Sequence, residues 1–344
     1  MTKRNHVLVV YANKSSFVSQ DIDALSEKNE VTEYHFGSKK GFSQFIAQLK
    51  FLWFLTKNIY SYNLVFCWFA DYHCLLPSIL KSLITKKYIV AIGGFDAVSI
   101  PQLNYGGHRS KIRSAIIKYT CNRADLLICS SKYIGDTLIE TIGKSELKSK
   151  IKVAYPGINC FENNSSNITC YKAIYVAAGS TIDRMKIKGV DRFLEIVKAS
   201  ENDQFILIGP DKDALRWVKN QALNNLELIS SIERSALAEY YQKSQFICLF
   251  SRFEAFGMVL LEGICEGCIP ITLENIGTKE ILQFKNAPGL TISDFDLQKV
   301  LHFLRSKNPE KEDRSLQVKR NREYLAKYFG VDERAKYLSN FIAN

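Results

Sequence analysis

The sequence predicts an α/β protein built from two doubly wound parallel-sheet domains. Short apolar runs alternate with helix-length segments through both halves of the chain, and a polar, Asn- and Ser-rich stretch at 159–167 interrupts this alternation. The length of 344 residues also exceeds what one ordinary domain needs. We therefore expect domains over residues 1–160 and 168–325, followed by a C-terminal helix, 326–344, that returns to the first domain.

Four buried strands are predicted in the first half and five in the second. They are residues 7–11, 64–68, 88–92 and 126–129, then 173–178, 205–208, 226–229, 246–250 and 269–272. The predicted helices include 17–25, 42–59, 75–83, 110–121, 133–142, 237–244, 310–329 and 332–342. Two such domains facing each other would form a cleft, where the amino ends of helices offer unpaired N–H groups to phosphates.

Composition indicates a cytoplasmic protein with an anionic partner. No stretch of eighteen apolar residues is free of charge, and the amino terminus shows no apolar signal core. The nine cysteines are odd in number and scattered among apolar segments, so we expect reduced thiols. Residues 1–160 hold 21 Lys and Arg against 11 Asp and Glu, whereas the remainder holds 25 against 24. Anionic lipid and phosphorylated substrates both suit the basic half, and nucleic acid ranks last because no base-reading motif is present.

The segment 39–57 has two equally weighted interpretations. It mixes large apolar residues with four lysines, Lys39, Lys40, Lys50 and Lys57. It is either a membrane-surface helix, peripheral on the inner face of the cell membrane, or a core-facing helix with lysines on its wet side.

Dinucleotide chemistry is disfavoured by the turn after the first strand. That turn, residues 12–17, contains no glycine, whereas NAD and FAD sites normally have a glycine-rich turn there. We therefore expect no bound cofactor.

The most informative stretch is residues 251–262, directly after a predicted strand. It places Glu254 in a strand-to-helix loop and Glu262 in the following helix, with Gly257 at the turn between them. Backbone amides at a helix start can hold phosphate or sugar oxygens, and carboxylates accept hydrogen bonds from hydroxyls. This combination suits a nucleotide sugar.

The same residues resemble the E-x7-E signature of the retaining family-4 glycosyltransferases, whose fold is GT-B. The similarity continues through 267–271 to Glu280 and includes 188–189, 208–209 and 237–244 upstream. The resemblance implies that Glu254 lies by the donor sugar, that Glu262 binds the ribose hydroxyls, and that Lys188 and Arg184 neutralise the leaving diphosphate. The further residues that it places around the donor are Ser15, Ser16, Gly209, Phe256, Gly257, Met258 and Val259.

The first half departs from the family pattern at two places. Gly93 stands where many relatives have a histidine, so no catalytic histidine is carried over, although Asp96 keeps a place as a substrate-binding residue. Ser15 and Ser16 replace the glycine-rich first loop. His73 and His108 have no partner that the sequence identifies.

No metal site is expected. Three D-x-D triplets occur, at 21–23, 211–213 and 294–296, but they lie in helical or turn-like segments and are predicted to be solvated. The pair Cys265 and Cys268 lacks further ligands at zinc spacing. The chemistry is predicted to be metal-independent.

The sequence thus predicts a retaining hexosyl- or N-acetylhexosaminyl-transferase. Its donor would be a UDP- or GDP-linked sugar, and its acceptor a glycan or lipid-linked hydroxyl in cell-surface polysaccharide or glycolipid assembly. A nucleotide-sugar epimerase of the same fold and a non-catalytic sugar-nucleotide-binding subunit are the alternatives. Sugar transfer to a second molecule distinguishes the predicted transferase from an epimerase. Turnover distinguishes it from a non-catalytic binding subunit.

Overall fold

The chain forms two compact units. The computed structural model describes residues 4–39, 41–58, 60–160, 170–274, 276–282, 289–306 and 314–343. The first unit comprises residues 1–157 and 331–344, and the second comprises 158–330. Most of the predicted linker, 161–167, lies outside the described residues.

The first unit is a six-stranded parallel sheet covered by helices. Its strand order is β2-β1-β3-β4-β5-β6, with strands β1 His6–Tyr11, β2 Glu30–His35, β3 Tyr62–Trp68, β4 Thr85–Ile92, β5 Leu126–Cys129 and β6 Ile151–Val153. The crossover helices are α1 Ser16–Ser26, α2 Phe42–Lys57, α3 Leu75–Ile84, α4 Lys111–Arg123 and α5 Lys132–Ile142. The central strands are buried on both faces, as their continuous apolar runs require.

The second unit repeats this plan. Its strand order is β12-β11-β10-β7-β8-β9, with strands β7 Tyr171–Gly179, β8 Phe205–Pro210, β9 Leu226–Ile229, β10 Ser244–Leu249, β11 Ile269–Leu273 and β12 Leu290–Ile292. Its helices are α6 Ile182–Ile187, α7 Val190–Ala199, α8 Lys212–Lys219, α9 Arg234–Gln242, α10 Met258–Cys265, α11 Ile276–Ile281, α12 Leu297–Ser306 and α13 Arg314–Phe329. A final helix, α14 Val331–Ala343, belongs to the first unit.

The predicted fold class of two doubly wound parallel sheets is confirmed, and the sequence missed three strands at or near sheet edges. These are β2, β6 and β12. Strand β2 is one of the two edge strands of the first sheet, and its residues are partly or fully exposed, so it has no apolar run that a pattern could reveal. Strands β6 and β12 are three residues long. The helix predicted at 237–244 ends earlier, because Ser244 begins β10.

A buried ion pair fastens α14 to the first unit. Arg334 donates to Asp21 from Nε at 2.5 Å and from Nη2 at 2.8 Å, and its Nη1 donates to the carbonyl oxygens of Ala154 and Tyr155. Trp68 Nε1 donates to the same carboxylate at 2.9 Å. Asp21 was predicted to be solvated, and that prediction is wrong because an arginine 313 residues away in sequence covers it.

Seven cysteines are free thiols, as predicted, and two are paired. Cys67, Cys129 and Cys248 are buried in the sheets. Cys160 and Cys265 form a disulfide with a Cα–Cα distance of 5.7 Å, which corrects the expectation of a fully reduced set. Neither the odd number of cysteines nor their apolar surroundings could reveal this pair, because its two members lie 105 residues apart in sequence.

Within the described ranges, no helix combines the length and apolarity needed to cross a membrane.

Candidate functional site

The residues that the sequence singled out in the second unit lie at one edge of its sheet. In a parallel sheet the carboxyl ends of all strands meet at the same edge. The loops after β7, β8 and β9 enclose a cavity of about 490 Å³ there. Its lining is formed by Val176, Ala178, Gly179, Ser180, Ile208, Gly209, Asp211, Ser230, Ser231, Ile232 and Leu237. The loop after β10 carries Glu254 at the same edge.

Lys188 and Glu254 form a direct ion pair. Lys188 Nζ lies 2.9 Å from Glu254 Oε2, and Ser251 Oγ donates to the same oxygen at 3.2 Å. The side chains keep 22% and 12% of their surface exposed, so both groups are largely screened from water yet reachable by a ligand. The sequence predicted both residues at the reacting centre, and the structure brings them together.

The backbone around Lys188 is held by side chains from the neighbouring strands. Its carbonyl oxygen accepts a hydrogen bond from the Tyr175 hydroxyl, and the Ser251 hydroxyl lies 3.3 Å from the same oxygen. Gly189 follows at a φ of +75°, and a Cβ there would lie 2.1 Å from the carbonyl oxygen of Phe250. Only glycine lets α7 begin this close to β10. Burial and nearby negative charge raise the pKa of Tyr175, so it remains a hydroxyl donor.

The helix α10 begins at the turn that Gly257 makes with a φ of +101°. The N–H groups of Met258 and Val259 lie in its first turn, where a helix has no internal acceptors for them. Phe256 was predicted to touch the donor, but its side chain is buried and packs on Phe329 with ring centroids 5.6 Å apart. Phe256 therefore has only its backbone to offer.

Glu262 projects from α10 between two partners from α9. Arg234 Nη2 lies 2.5 Å from its Oε1, and the Tyr241 hydroxyl donates to its Oε2 at 3.2 Å. Burial, reinforced by the adjacent Glu262 carboxylate, raises the pKa of Tyr241 well above its usual value. The tyrosine therefore stays protonated and holds the carboxylate in place.

Gly209 lines the cavity, and Arg184 lies beside one of the lining residues. Arg184 is on α6, and an added Cβ on Gly179, a lining residue, would lie 2.6 Å from its Cγ. Gly209 lines the cavity directly. Asp211 was predicted to be solvated, but it is half-buried, and its Oδ1 has no hydrogen-bond partner among the described residues. A buried oxygen without a donor is a place for a ligand or a water molecule.

In the first unit, Ser15 and Ser16 lie at the start of α1, after the carboxyl end of β1. Ser15 precedes the helix, and its Oγ is buried without a hydrogen-bond partner within the described part of the chain. Ser16 is exposed. The hydroxyl and amides here lie at the carboxyl-terminal end of the parallel strands, where helix N-termini in such sheets bind phosphates.

Asp96 is placed differently from its predicted role in substrate binding. Its carboxylate is buried and accepts from the backbone N–H groups of Ala70, Gly93 and Gly94 at 2.9, 3.1 and 2.9 Å. Burial raises the pKa of Asp96 to about 6, although these amides oppose the shift. In this arrangement Asp96 orders the loop after β4 and offers no free oxygen to an acceptor.

The same loop explains why Gly93 carries no side chain. A Cβ there would lie 2.0 Å from Cε1 of Phe69, whose ring fills the space. The two histidines nearby are not isolated, contrary to expectation. His73 Nε2 lies 2.9 Å from the carbonyl oxygen of Trp68, and His108 Nε2 lies 3.0 Å from that of Asp96.

Sequence reasoning missed Arg234, Tyr241 and the lining residues 230–232. Arg234 and Tyr241 reach Glu262 from another helix, and no local motif marks them. The polar turn after β9, Ser230-Ser231, is a sequence signal that could have marked residues 230–232.

Across the described residues, no group of three or more His, Cys, Asp or Glu side chains is placed to hold a metal ion.

Comparison with known proteins agrees with this geometry. Residues 175–301 match the profile of the family described as "Glycosyl transferases group 1". The chain is 27% identical over 193 residues to an uncharacterized glycosyltransferase, MJ1178, of Methanocaldococcus jannaschii. That match covers 54% of this chain and 49% of the relative, so it spans about half the length of the curated protein. The residues that match this family profile all lie within the second unit.

Solved structures establish the fold over nearly the whole chain. Anabaena Alr3699/HepE, in complex with UDP and glucose, superposes with a TM-score of 0.73 at 13% identity, covering 99% of this chain and 100% of that one. Sucrose-phosphate synthase of Thermosynechococcus elongatus gives a TM-score of 0.76 at 15% identity, covering 98% of both chains. The fold is GT-B, with two Rossmann-like domains.

Proposed function

We propose that this protein is a retaining glycosyltransferase that moves a sugar from a nucleoside diphosphate to an acceptor hydroxyl. The observation that carries the proposal is the Lys188–Glu254 ion pair, placed beside the start of α10 and at the same sheet edge as the cavity. This arrangement offers a cation, a carboxylate and helix-start amides within one domain, which matches the charges of a sugar diphosphate.

Lys188 has the charge and the position to stabilise the leaving group. As the bond between the anomeric carbon and the diphosphate oxygen breaks, negative charge builds on that oxygen. Lys188 neutralises it, with Arg184, beside Gly179, as a second cation. The acceptor oxygen bonds to the anomeric carbon on the same face, and its proton passes to the departing phosphate. No enzyme nucleophile is needed, and configuration is retained.

Glu254 orients the donor sugar and balances the positive charge that develops at the anomeric carbon. Its pairing with Lys188 and Ser251 keeps the carboxylate in one place before the donor arrives. Such preorganisation matters because a carboxylate that must reorient during the reaction loses part of its effect.

The cavity after β7, β8 and β9 suits the nucleoside. Its mixed lining offers apolar surface from Ile208 and Leu237 and polar groups from Ser230 and Asp211. Uridine is the base to test first, since UDP accompanies the structural relative HepE. The acceptor is proposed to be a hydroxyl of a glycan or glycolipid in cell-surface polysaccharide assembly.

A panel of nucleotide sugars tests the proposal directly. A donor present at one hundred times its dissociation constant should stabilise the folded protein by about 2.7 kcal/mol, which appears as a raised melting temperature. With acceptor added, the NMR anomeric coupling of the product should match that of the donor. Inversion, epimerisation of the donor without transfer, or binding without any turnover would each contradict the proposed activity.

We expect Glu262→Ala chiefly to weaken nucleotide binding. Hydrogen bonds from ribose hydroxyls to a carboxylate are charge-assisted, so their loss should lower affinity for the nucleoside diphosphate by about 10- to 100-fold. Calorimetric titration measures this, with Glu239→Ala on α9 as an exposed-carboxylate control. A nucleotide lacking both ribose hydroxyls should bind wild type and Glu262→Ala equally. If the variant keeps full affinity for the complete nucleotide, Glu262 does not bind the ribose.

Activity should survive a chelator, because the proposed mechanism neutralises the diphosphate with Lys188 and Arg184. Initial rates are measured after EDTA treatment and again after magnesium or manganese is restored. Loss of turnover with EDTA and recovery with either ion would overturn the metal-independent mechanism.

A further inference from the structure

We propose that the outer surface of α2 in the first unit is a docking surface for a membrane containing anionic lipid. Five large apolar side chains on this helix are exposed: Phe42, Phe45, Ile46, Leu49 and Trp53. Their spacing of three or four residues places them on one face, which we call the apolar stripe. Phe42 is 76% exposed and Trp53 is 62% exposed.

The stripe is separate from the face that anchors α2 to its domain. Phe51 and Leu55, one turn apart, are fully buried. The ring of Phe51 lies on those of Tyr34 and Phe36, with centroids 4.3 and 5.8 Å apart. A helix that is apolar on two faces and packed on one leaves the second face for something else to cover.

The core-facing interpretation of this segment therefore holds in part, and the membrane-surface interpretation stays a prediction. The helix does face a core, through Phe51 and Leu55, but its other side is not simply a solvated lysine face. Lys40 lies outside the described residues, whereas Lys39, Lys50 and Lys57 are all exposed.

The neighbouring helix α3 extends the apolar surface. Helix α3 packs beside α2, and α4 packs beside α3. The connections β2 to β3, β3 to β4 and β4 to β5 all run in one direction along the sheet, so right-handed crossovers put these three helices on the same face. Ile79 and Leu83 on α3 are exposed in the same layer.

Charge in this layer matches an anionic surface. Helices α2, α3 and α4 contain no Asp or Glu. Residues 34–124 as a whole hold 12 Lys and Arg against two acids, Asp71 and Asp96. Asp96 is buried, and Asp71 is paired with Arg113 at 3.0 Å. Helices α2, α3 and α4 therefore present basic side chains and no acidic ones beside their exposed apolar residues.

The lysines are placed as they would be at a lipid interface. Lys57 Nζ lies 3.8 Å from the ring centre of Trp53, and Lys50 follows Ile46 by one turn. Long lysine side chains can reach headgroup phosphates while their methylene groups and the adjacent rings enter the acyl boundary. A second copy of this chain would bring the same positive charge against the face, which disfavours self-association through it.

Vesicle binding tests this proposal independently of the enzyme activity. We expect the full-length protein to sediment with phosphatidylcholine vesicles containing about one third phosphatidylglycerol, and far less with pure phosphatidylcholine. Replacing Phe45, Leu49 and Trp53 together with Ser should weaken partitioning by at least about 100-fold. The matched control replaces three exposed apolar residues of the C-terminal helices, Leu316, Tyr328 and Tyr337, with Ser and should bind normally.

A variant that removes positive charge separates the electrostatic contribution to vesicle binding from the apolar one. A variant in which Gln replaces Lys39, Lys50 and Lys57 should bind anionic vesicles on the order of 100-fold more weakly than wild type at low salt. The difference in affinity between variant and wild type should shrink as the salt concentration rises. The control variant has Gln in place of three exposed lysines of the second unit, Lys219, Lys299 and Lys319. Equal binding by the α2 variants and their controls would reject the proposed surface.

A measurement on the wild-type chain needs no destabilising change. Brominated lipid should quench the fluorescence of Trp53, because that ring enters the acyl boundary, while Trp68 is buried. The Trp53→Phe variant should still bind but lose the quenching. Absence of quenching in wild type would overturn insertion of the stripe. Stripe-dependent dimerisation without vesicle binding, or binding to nucleic acid in place of vesicles, would overturn the lipid assignment.

Discussion

Lys188→Ala should lower turnover by roughly 100-fold or more while the protein remains folded. The loss of one preorganised donor aimed at developing charge typically has this effect. Donor affinity should fall as well, because the diphosphate is already charged in the ground state. Steady-state rates and donor titrations measure the two effects separately. The matched control is Lys186→Ala, which changes an exposed lysine of α6 two residues before Lys188 and should leave both unchanged.

The ion pair makes a double-mutant cycle informative. In Lys188→Ala the Glu254 carboxylate keeps Ser251 but loses its cation at 2.9 Å. Glu254→Gln preserves shape and a hydrogen-bonding group, so its defect should lie mainly in turnover, as for an interaction that strengthens in the transition state. We expect the double variant to be less impaired than the product of the single effects, because the residues act as a unit. Wild-type turnover in a folded Glu254→Gln protein would move the reacting centre elsewhere.

Arg334→Met should destabilise the first unit by about 3–5 kcal/mol, the usual cost of leaving one buried charge without its partner. In the variant Asp21 keeps Trp68 as a donor among the described residues, and the carbonyl oxygens of Ala154 and Tyr155 lose their hydrogen bonds from Arg334. Urea unfolding, followed by tryptophan fluorescence in a Trp53→Phe, Trp217→Phe background that leaves the buried Trp68, measures the change.

Two further variants separate charge loss from lost packing. Asp21→Asn combined with Arg334→Met removes both charges and should recover part of the stability. Lys336→Ala, which removes the exposed Lys336–Glu333 pair on the same helix, should change little. An unfolding midpoint in Arg334→Met equal to that of wild type would show that α14 does not depend on this pair.

The sequence by itself determined the fold class and the most informative loop. Buried parallel strands such as β1 and β10 contain continuous apolar runs, so they stand out against the helical segments between them. Glu254, Gly257 and Glu262 lie within nine residues of each other, so their relation is local and visible in a spacing. Edge strand β2 escaped because partial exposure removes the apolar run that marks a strand.

Only the tertiary structure decided which distant groups contact each other and which predicted site residues are buried away from a ligand. Lys188 and Glu254 are 66 residues apart, and Asp21 and Arg334 are 313 apart, so their pairing depends on strand order. Burial gave Asp96 a role in the loop after β4, since three amides occupy its carboxylate. Periodicity marks α2 as apolar on more than one side, but packing against Tyr34 and Phe36 determined which side faces outward. Contacts of this kind arise from the folded arrangement of the sheets, which no short window of sequence contains.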